Sequence, residues 1–547
     1  MIHGYLLSGT GSNIFVSNLV RRFCARGFEV VLLCQERNPA NLDYVAAHAV
    51  FAPGNASCTT LFSRDTPYPG KCSLYNPDLN GLLPVYVYDD YPGFTVKPFT
   101  ELTDDEIEEH IRQNVTALES VYAEQPFDLV QTNHVIMSPA IARRFCLVHG
   151  LPYYISLHGS ALNFSVKNDR RLEPYAVEGL KHAAGIFAVS RHNRLEAVTF
   201  FNDLAAEIKD KFAVIPAGVD IELFRIHEGP KLESITALKT QLTDRIRLLP
   251  RGKTGAQKQE FLAALDQTSS GTEVADLAAR YNSRYVQSHP DRDINSVLDR
   301  IDWAEDWVLL FVGKYLWTKG IQMVIGALPL LLQRIPNLQL LLVGFGSYRE
   351  ELEAMVHALD SGRRELFRCL FEKSGSRMEP GDDPAVKKPF KFLDALNERR
   401  ELKSYFAAAR NHNIAGHVHF LGVLSHKELS LLLPCADVFV APSIYPEAFG
   451  MVSIEALACG VLPIVSNQTG LKEIVDLTAR TVDAVNKAPR IDINEEMIFN
   501  ILTNITRSIE SGDLRNPDFK QQLRRLTLDN FSWDSIASRY LACYGGG

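Results

Sequence analysis

Between Pro442 and Gly460 the chain reads PSIYPEAFGMVSIEALACG. Two carboxylates, Glu447 and Glu455, flank the expected start of a helix whose first turn would be Phe449, Gly450, Met451 and Val452. The first turn of a helix presents backbone N–H groups without intrahelical partners and the positive end of the dipole, which suits a diphosphate. Glu447, in the loop before the helix, could accept hydrogen bonds from sugar hydroxyls. Glu455, further along, could accept both hydroxyls of a ribose. The plain alternative is a helix with an acidic tip that packs Val452, Ile454, Leu457 and Ala458 into a core.

Other short elements carry compatible chemistry. Gly313 to Gly320 reads GKYLWTKG after a buried apolar run, and places Lys314 and Lys319 where they could offset the charge of a departing diphosphate. The alternative is a pair of solvated loop lysines. Val343 to Ser347, VGFGS, is a glycine turn in which Gly344 would let backbone approach a nucleotide, although any tight strand-to-helix turn uses glycine. FLGVL at Phe420–Leu424 ends another apolar run, and LHGS at Leu157–Ser160 puts His158 at the end of the run YYISL. Ser8–Asn13, SGTGSN, is a glycine loop containing Gly9 and Gly11, in which Ser12 or Asn13 could equally cap the following helix.

Together these strings resemble the retaining glycosyltransferases of the GT-B type, family 4, whose fold is shared by glycogen and starch synthases. The resemblance spans most of the chain outside two insertions and the stretch Asn55–Pro98. It implies two Rossmann-like domains facing a central cleft, with helical insertions, and a catalytic set of Glu447, His158 and Lys319. The implied donor-binding set is Lys314, Lys319, Glu455, Phe449, Gly450, Met451, Val452, Gly11, Val423 and Gly344. Val423 and neighbouring backbone groups would meet the edge of the base, a uracil-like reading. Lys314 stands where the family carries an arginine; it keeps the charge and loses the bidentate fork. Gly460-Val461-Leu462-Pro463 is one residue longer than the common family spacing and is similar to that of glycogen and starch synthases, which leaves the acceptor open. PAGVD at Pro216–Asp220 and TGLKE at Thr469–Glu473 also resemble family segments, the first read as mainly structural.

The implied activity is transfer of a hexosyl group from a UDP-glucose-like nucleotide sugar to a hydroxyl acceptor with retention, with no metal and no cofactor beyond the co-substrate. The rival readings are a phosphorylase or hydrolase of the same fold, or a non-catalytic sugar-nucleotide-binding subunit. The acidic pairs Asp89-Asp90, Asp104-Asp105 and Asp382-Asp383 lie in an excursion, a helix start and a turn, and are not read as metal sites.

The supporting elements follow from pattern. Residues 1–226 alternate short apolar runs (IHGYLLS, FEVVLLC, DLVQT, YYISL, GIFAVS, FAVIP) with helical spacing, which predicts a parallel sheet covered on both faces. Asn55–Pro98, rich in Pro, Gly and Tyr, reads as an excursion from that sheet. The rhythm resumes at WVLLFVG and runs over 303–530. Residues 228–302 and about 360–410 read as helical insertions, suited to a partner, to acceptor choice, to oligomerisation or to mere decoration. A final helix over about 531–544 is expected to rejoin the N-terminal acceptor domain. The 547 residues, 46% hydrophobic and 22% charged, fit a soluble two-domain protein, and the net charge of −8 argues against nucleic acid as partner. No apolar run reaches membrane-spanning length, and peripheral membrane contact stays open. Nine scattered cysteines and a start without a secretion signal point to a reducing cytoplasm, with a Cys58–Cys72 pairing as a minor possibility.

Overall fold

The computed structural model describes the chain apart from residues 8, 10, 87–90, 92, 249–251, 269–270, 377–383, 483–489 and 546–547. Asp89-Asp90 and Asp382-Asp383 therefore lie outside the described residues. Two units form: Met1–Gly218 with Phe531–Gly547, and Val219–Asn530.

The first unit holds β1 (Val30–Leu33), β2 (Val45–Phe51), β3 (Cys58–Ser63), β4 (Cys72–Asn76), β5 (Leu82–Val85), β6 (Thr95–Pro98), β7 (Val130–Asn133), β8 (Tyr153–Leu157), β9 (Gly185–Ala188) and β10 (Phe212–Val214). They order as β1-β4-β2-β3 and β10-β9-β8-β7, with β5-β6 as a separate pair. Every pairing is parallel except β2 with β3. Ile2 joins the two four-stranded sheets, bridging Leu33 on one side and Thr132 on the other. The expected first strand IHGYLLS is thus reduced to that bridge, with bends at Gly4 and Tyr5. Asn55–Pro98 is not a pure excursion either: its segment β4 inserts between β1 and β2. Five residues between Gly70-Lys71 and Pro77 were too short a run to signal a strand, yet Cys72 and Leu74 are fully buried.

The final helix, Trp533–Tyr544, locks onto this unit. Tyr540 shares a 2.8 Å hydrogen bond with Ser156, and Tyr544 donates to Gln131 at 2.7 Å. Gly218 lies so close to the Trp533 ring that a Cβ would sit 2.5 Å from it, which explains the glycine of PAGVD. All nine cysteines are free thiols, so Cys58 and Cys72 are not paired.

At the carboxyl ends of β7 and β8 lies a buried cluster of imidazole and phenol rings. His134 has neither ring nitrogen hydrogen-bonded and packs on Tyr86 with centroids 4.3 Å apart. His3 bonds Leu6 O at 3.1 Å and Asn13 Oδ1 at 3.0 Å. Burial pushes His3 down to about 4 and His134 well below the ordinary imidazole range.

The second unit is a six-stranded parallel sheet of β11 (Trp307–Val312), β12 (Leu338–Val343), β13 (Val418–Gly422), β14 (Val438–Ala441), β15 (Leu462–Ser466) and β16 (Arg490–Ile491), ordered β13-β12-β11-β14-β15-β16. The strand order reverses between β11 and β14, and ligands of open α/β sheets bind outside the carboxyl ends at such a point. Helices Lys231–Leu248, Gly255–Leu265, Gly271–Asn282 and Ile294–Leu298 belong to this unit.

A buried charge network fastens these helices to the sheet domain. Lys253, 2% exposed, donates to Glu350 at 2.9 Å and Glu353 at 2.7 Å. Arg349 grips Asp291 through two bonds of 2.8 and 2.5 Å and reaches Glu353 at 3.0 Å. Tyr285 and Asn282 complete the shell of Glu350. Burial disfavours ionised Glu353, but Lys253 and Arg349 outweigh it and hold the carboxyl down at about 2. Among the described residues no helix is long and apolar enough to cross a membrane.

Two outcomes follow. Lys253→Ala leaves two buried carboxylates short of a partner and should cost about 3–5 kcal/mol in urea unfolding. Lys239→Ala, whose partner Asp299 is exposed, should cost about 1 kcal/mol or less. Second, His3 and His134 are neutral when folded but titrate near 6.5 when unfolded. Their contribution is intact above pH 6.5 and falls as pH drops toward 4, by about 1.4 kcal/mol per pH unit for each ring. Urea midpoints that stay flat from pH 7 to pH 5 would contradict this.

Candidate functional site

In the second unit the site residues gather at the carboxyl ends of β11, β12, β13 and β14. The turn after β11 carries Lys314, then a 3-10 turn Trp317–Lys319, then Gly320 at φ 70°, a left-handed conformation that favours glycine. A Cβ on Gly320 would meet Pro442 O at 1.9 Å, so the loops after β11 and β14 are in direct contact. This contact aims Lys319 at Glu447, with which it pairs. Both side chains keep partial exposure, 29% and 22%.

Glu447 is held on every side. Ser443 Oγ donates to its Oε1 at 2.7 Å, and its own N–H donates to Thr469 Oγ1 at 2.9 Å. Its carbonyl accepts from Gly470 N–H at 3.0 Å. The amides of Ile444 and Tyr445 donate to Thr318 O at 2.9 and 3.3 Å, while Gln468 donates to Ser443 O and Tyr445 O. The carboxylate is thus fixed between the β11 loop and the start of the helix Thr469–Thr481.

The helix after Glu447 starts later than the sequence suggested. It spans Met451–Ala458; Phe449 is buried before it, and Gly450 occupies the cap position at φ 108°. A left-handed residue cannot continue into the helix, so only Met451 and Val452 belong to its first turn. The cap supplies no side-chain hydrogen bond, which leaves the leading N–H groups without a capping side chain. Glu455, on this helix, is 5% exposed; its Oε2 has no hydrogen-bond partner, and its Oε1 lies 3.6 Å from His426 Nε2. The Glu455 carboxylate facing the ring raises the His426 pKa. Sequence reading passed over His426; its signal was the polar start of the helix His426–Leu432 directly after FLGVL.

Lys314 Nζ sits 5.5 Å from the Phe345 ring, in the glycine turn after β12. Gly344, at φ 145°, packs on the β11 turn so closely that a Cβ would lie 1.8 Å from Gly313 O. The backbone of Val423, expected at the edge of the base, has partners within the chain. Its N–H donates to His289 O at 3.1 Å, its carbonyl accepts from Arg245 at 3.4 Å, and Pro290 bridges Gly422. These partners come from the helical segment, a contact no local pattern in FLGVL could announce.

His158 and Gly11 stand in the first unit. His158 follows β8 and shares a 2.9 Å hydrogen bond through Nε2 with Asn133 Oδ1 at the end of β7. Asn133 Nδ2 donates to Ile2 O at 3.1 Å, which fixes the amide so that Oδ1 accepts and His158 Nε2 carries the proton. The ring meets Phe15 edge-to-face at 5.0 Å. Burial pushes its pKa down to about 3, so it is a neutral imidazole with Nδ1 as an acceptor. Gly11 opens the helix Gly11–Ala25, whose Asn13 is tied to His3. Among the described residues no cluster of His, Cys, Asp or Glu has the makings of a metal site.

Comparisons with known proteins fall on the same segments. Residues 299–367 and 398–487 match the family model for glycosyl transferases group 1. Lys314, Lys319, Gly344, Val423, Glu447 and Glu455 all lie within the match, and residues 231–298 precede it. The chain is 24% identical over 240 residues to an uncharacterized glycosyltransferase of Methanocaldococcus jannaschii, covering 44% of this chain and 45% of that one. It is 32% identical over 136 residues to a glycogen synthase of Mycobacterium tuberculosis, covering 25% of this chain and 30% of that one. The aligned part therefore spans less than half of either relative. Among solved structures, HepE of Anabaena in complex with UDP-glucose aligns over 100% of both chains with a TM-score of 0.52 at 13% identity. Sucrose-phosphate synthase of Thermosynechococcus elongatus covers 99% of this chain and 94% of its own, with a TM-score of 0.50 at 17% identity. These likenesses show the GT-B fold. Within that fold, the residues of the second unit named above are those that match the glycosyl transferases group 1 model.

Proposed function

We propose that the protein is a retaining glycosyltransferase that moves a hexosyl group from a nucleotide sugar, UDP-glucose-like, to a hydroxyl acceptor. The observation that carries this reading is the Lys319–Glu447 pair, clamped at the sheet's switch point beside an uncapped helix start and a buried Glu455 with an open oxygen. A cation and backbone N–H groups suit a diphosphate, and the two carboxylates suit hydroxyls on either side of it.

In this reading the bond from the sugar's anomeric carbon to the diphosphate oxygen breaks, and the electron pair leaves with the diphosphate. Lys314, Lys319 and the N–H groups of Met451 and Val452 compensate its charge. The acceptor oxygen bonds to the same carbon from the face the diphosphate leaves, so configuration is kept, and its proton passes to the departing diphosphate oxygen. Glu447 orients the sugar and steadies positive charge at the ring; Ser443 and Lys319 keep its carboxylate in place. Glu455 takes the ribose hydroxyls with His426 fixing its other oxygen. In the first unit, neutral His158 is the group assigned to a hydroxyl of the transferred sugar. HepE, whose fold this chain shares, was crystallised with UDP-glucose, which motivates the choice of donor.

Glu447→Ala should lower the transfer rate by about 10²-fold or more, while affinity for the nucleoside diphosphate stays within a few-fold by calorimetry. Undiminished turnover in Glu447→Ala would remove the residue from the mechanism. Glycosyl transfer to inorganic phosphate without a nucleotide would favour phosphorolysis instead.

A further inference from the structure

The helical segment leaves a cavity of about 230 Å³ between itself and the edge strand β13. Val418, His419 and Phe420, the first three residues of that strand, line it, so it lies away from the carboxyl end where Lys319, Glu447 and Glu455 gather. Gln259 and Arg300, also in its lining, are exposed, which opens the cavity to solvent. Its floor is the buried charge network, whose cations are spent: Lys253 on Glu350 and Glu353, Arg349 on Asp291 and Glu353. Asp293 lies against the start of the helix Gly255–Leu265, where a Cβ on Gly255 would sit 3.1 Å from its Oδ2.

Two further lining cations are placed differently. Lys258 Nζ stands 6.0 Å from the centre of the Phe420 ring, and Arg300 Nε donates to the carbonyl of Ser296 at 3.3 Å. Neither makes an ion pair with a carboxylate among the described residues. His419 adds an acceptor beside them. Gln339 Nε2 donates to Asp306 Oδ2 at 3.2 Å, which turns Gln339 Oε1 to His419 Nε2 at 2.9 Å. Nε2 therefore carries the ring proton, and Nδ1 is an acceptor with no hydrogen-bond partner among the described residues. The residue is 7% exposed; burial, then Lys258 and Arg300, push its pKa down to about 4, so the ring stays neutral.

A bare anion would leave that buried acceptor unmet, and a neutral polyol would leave the two cations unmet. The volume is about eight times the ~30 Å³ share of a water molecule in the liquid. That is room for an ester of a few carbons and too little for a nucleotide sugar. We propose that this cavity binds a small phosphate monoester that carries a hydroxyl group, with the phosphate between Lys258 and Arg300 and the hydroxyl donating to His419 Nδ1. The site does not rest on the glycosyltransferase reading, and it gives the helices of 231–298 a ligand of their own.

Calorimetric titration of the full chain with glycerol 3-phosphate, ethyl phosphate and glycerol tests it. At pH 8 both esters are dianions, and ethyl phosphate has no hydroxyl to donate. Glycerol 3-phosphate should bind, ethyl phosphate should bind about fivefold more weakly, and glycerol should not bind. Arg300→Ala and Lys258→Ala should each weaken glycerol 3-phosphate by about tenfold or more. The Arg300 side chain is exposed, so its variant reads binding without a loss of folding. Lys319→Ala should leave the affinity within about twofold of wild type. If instead Lys319→Ala abolishes binding and Arg300→Ala does not, the phosphate sits in the proposed diphosphate site and the proposal is overturned. Absence of glycerol 3-phosphate binding, or equal affinity for the two esters, overturns it as well.

Discussion

The ion pair between Lys319 and Glu447 is the constraint on which the proposed chemistry of the second unit depends. An isolated, partly exposed pair adds little stability, because solvent screens it and both side chains lose freedom. Here the surrounding backbone has been arranged to make the pair. The loop after β14 donates two amides to Thr318, the residue before Lys319, and receives Gln468, Thr469 and Gly470 from the next helix. Gly320 allows the two loops to touch, since any side chain there would strike Pro442 O. The network costs conformational freedom in a region that could otherwise be a pliable surface loop. What it yields is a carboxylate and an ammonium held in fixed positions next to a helix start, which in the proposed reaction would meet developing charge without rearrangement.

A second constraint lies deeper. Lys253, Arg349, Glu350, Glu353 and Asp291 are all nearly inaccessible to water, and a buried pair seldom stabilises more than well-packed apolar residues would. What the network provides is a single docking position for the helices of 231–298. That position delivers His289 and Pro290 to the end of β13, where His289 O accepts from the Val423 N–H. The first unit uses a different device at the corresponding place: a neutral, buried group of imidazole and phenol rings beneath His158, with Asn133 orienting the ring.

Several of these features were legible from sequence because they are local. Glu447, Glu455, Lys319 and the glycines at 320 and 344 are each specified by a run of a few residues, and the structure brings those of the second unit together. The strand runs YYISL, WVLLFV and LQLLLV were equally plain, since strands buried in a parallel sheet read as continuous apolar segments. What escaped was non-local. β4 is a five-residue strand whose place between β1 and β2 depends on its neighbours. IHGYLLS has strand-like composition, yet Ile2 alone bridges and the chain bends after it. The helix at Met451 starts two residues late because Gly450 takes a left-handed conformation. The pairing of His426 with Glu455 and the backbone partners of Val423 arise from contacts between segments far apart in sequence.

The account stands or falls on where a diphosphate goes. A crystal structure of the chain with UDP would decide it most directly. The account predicts diphosphate oxygens about 3 Å from Lys319 Nζ and from the N–H groups of Met451 and Val452, with ribose hydroxyls on Glu455. UDP bound elsewhere, with Lys319 still engaged only by Glu447 and Glu455 Oε2 still unpaired, would contradict it.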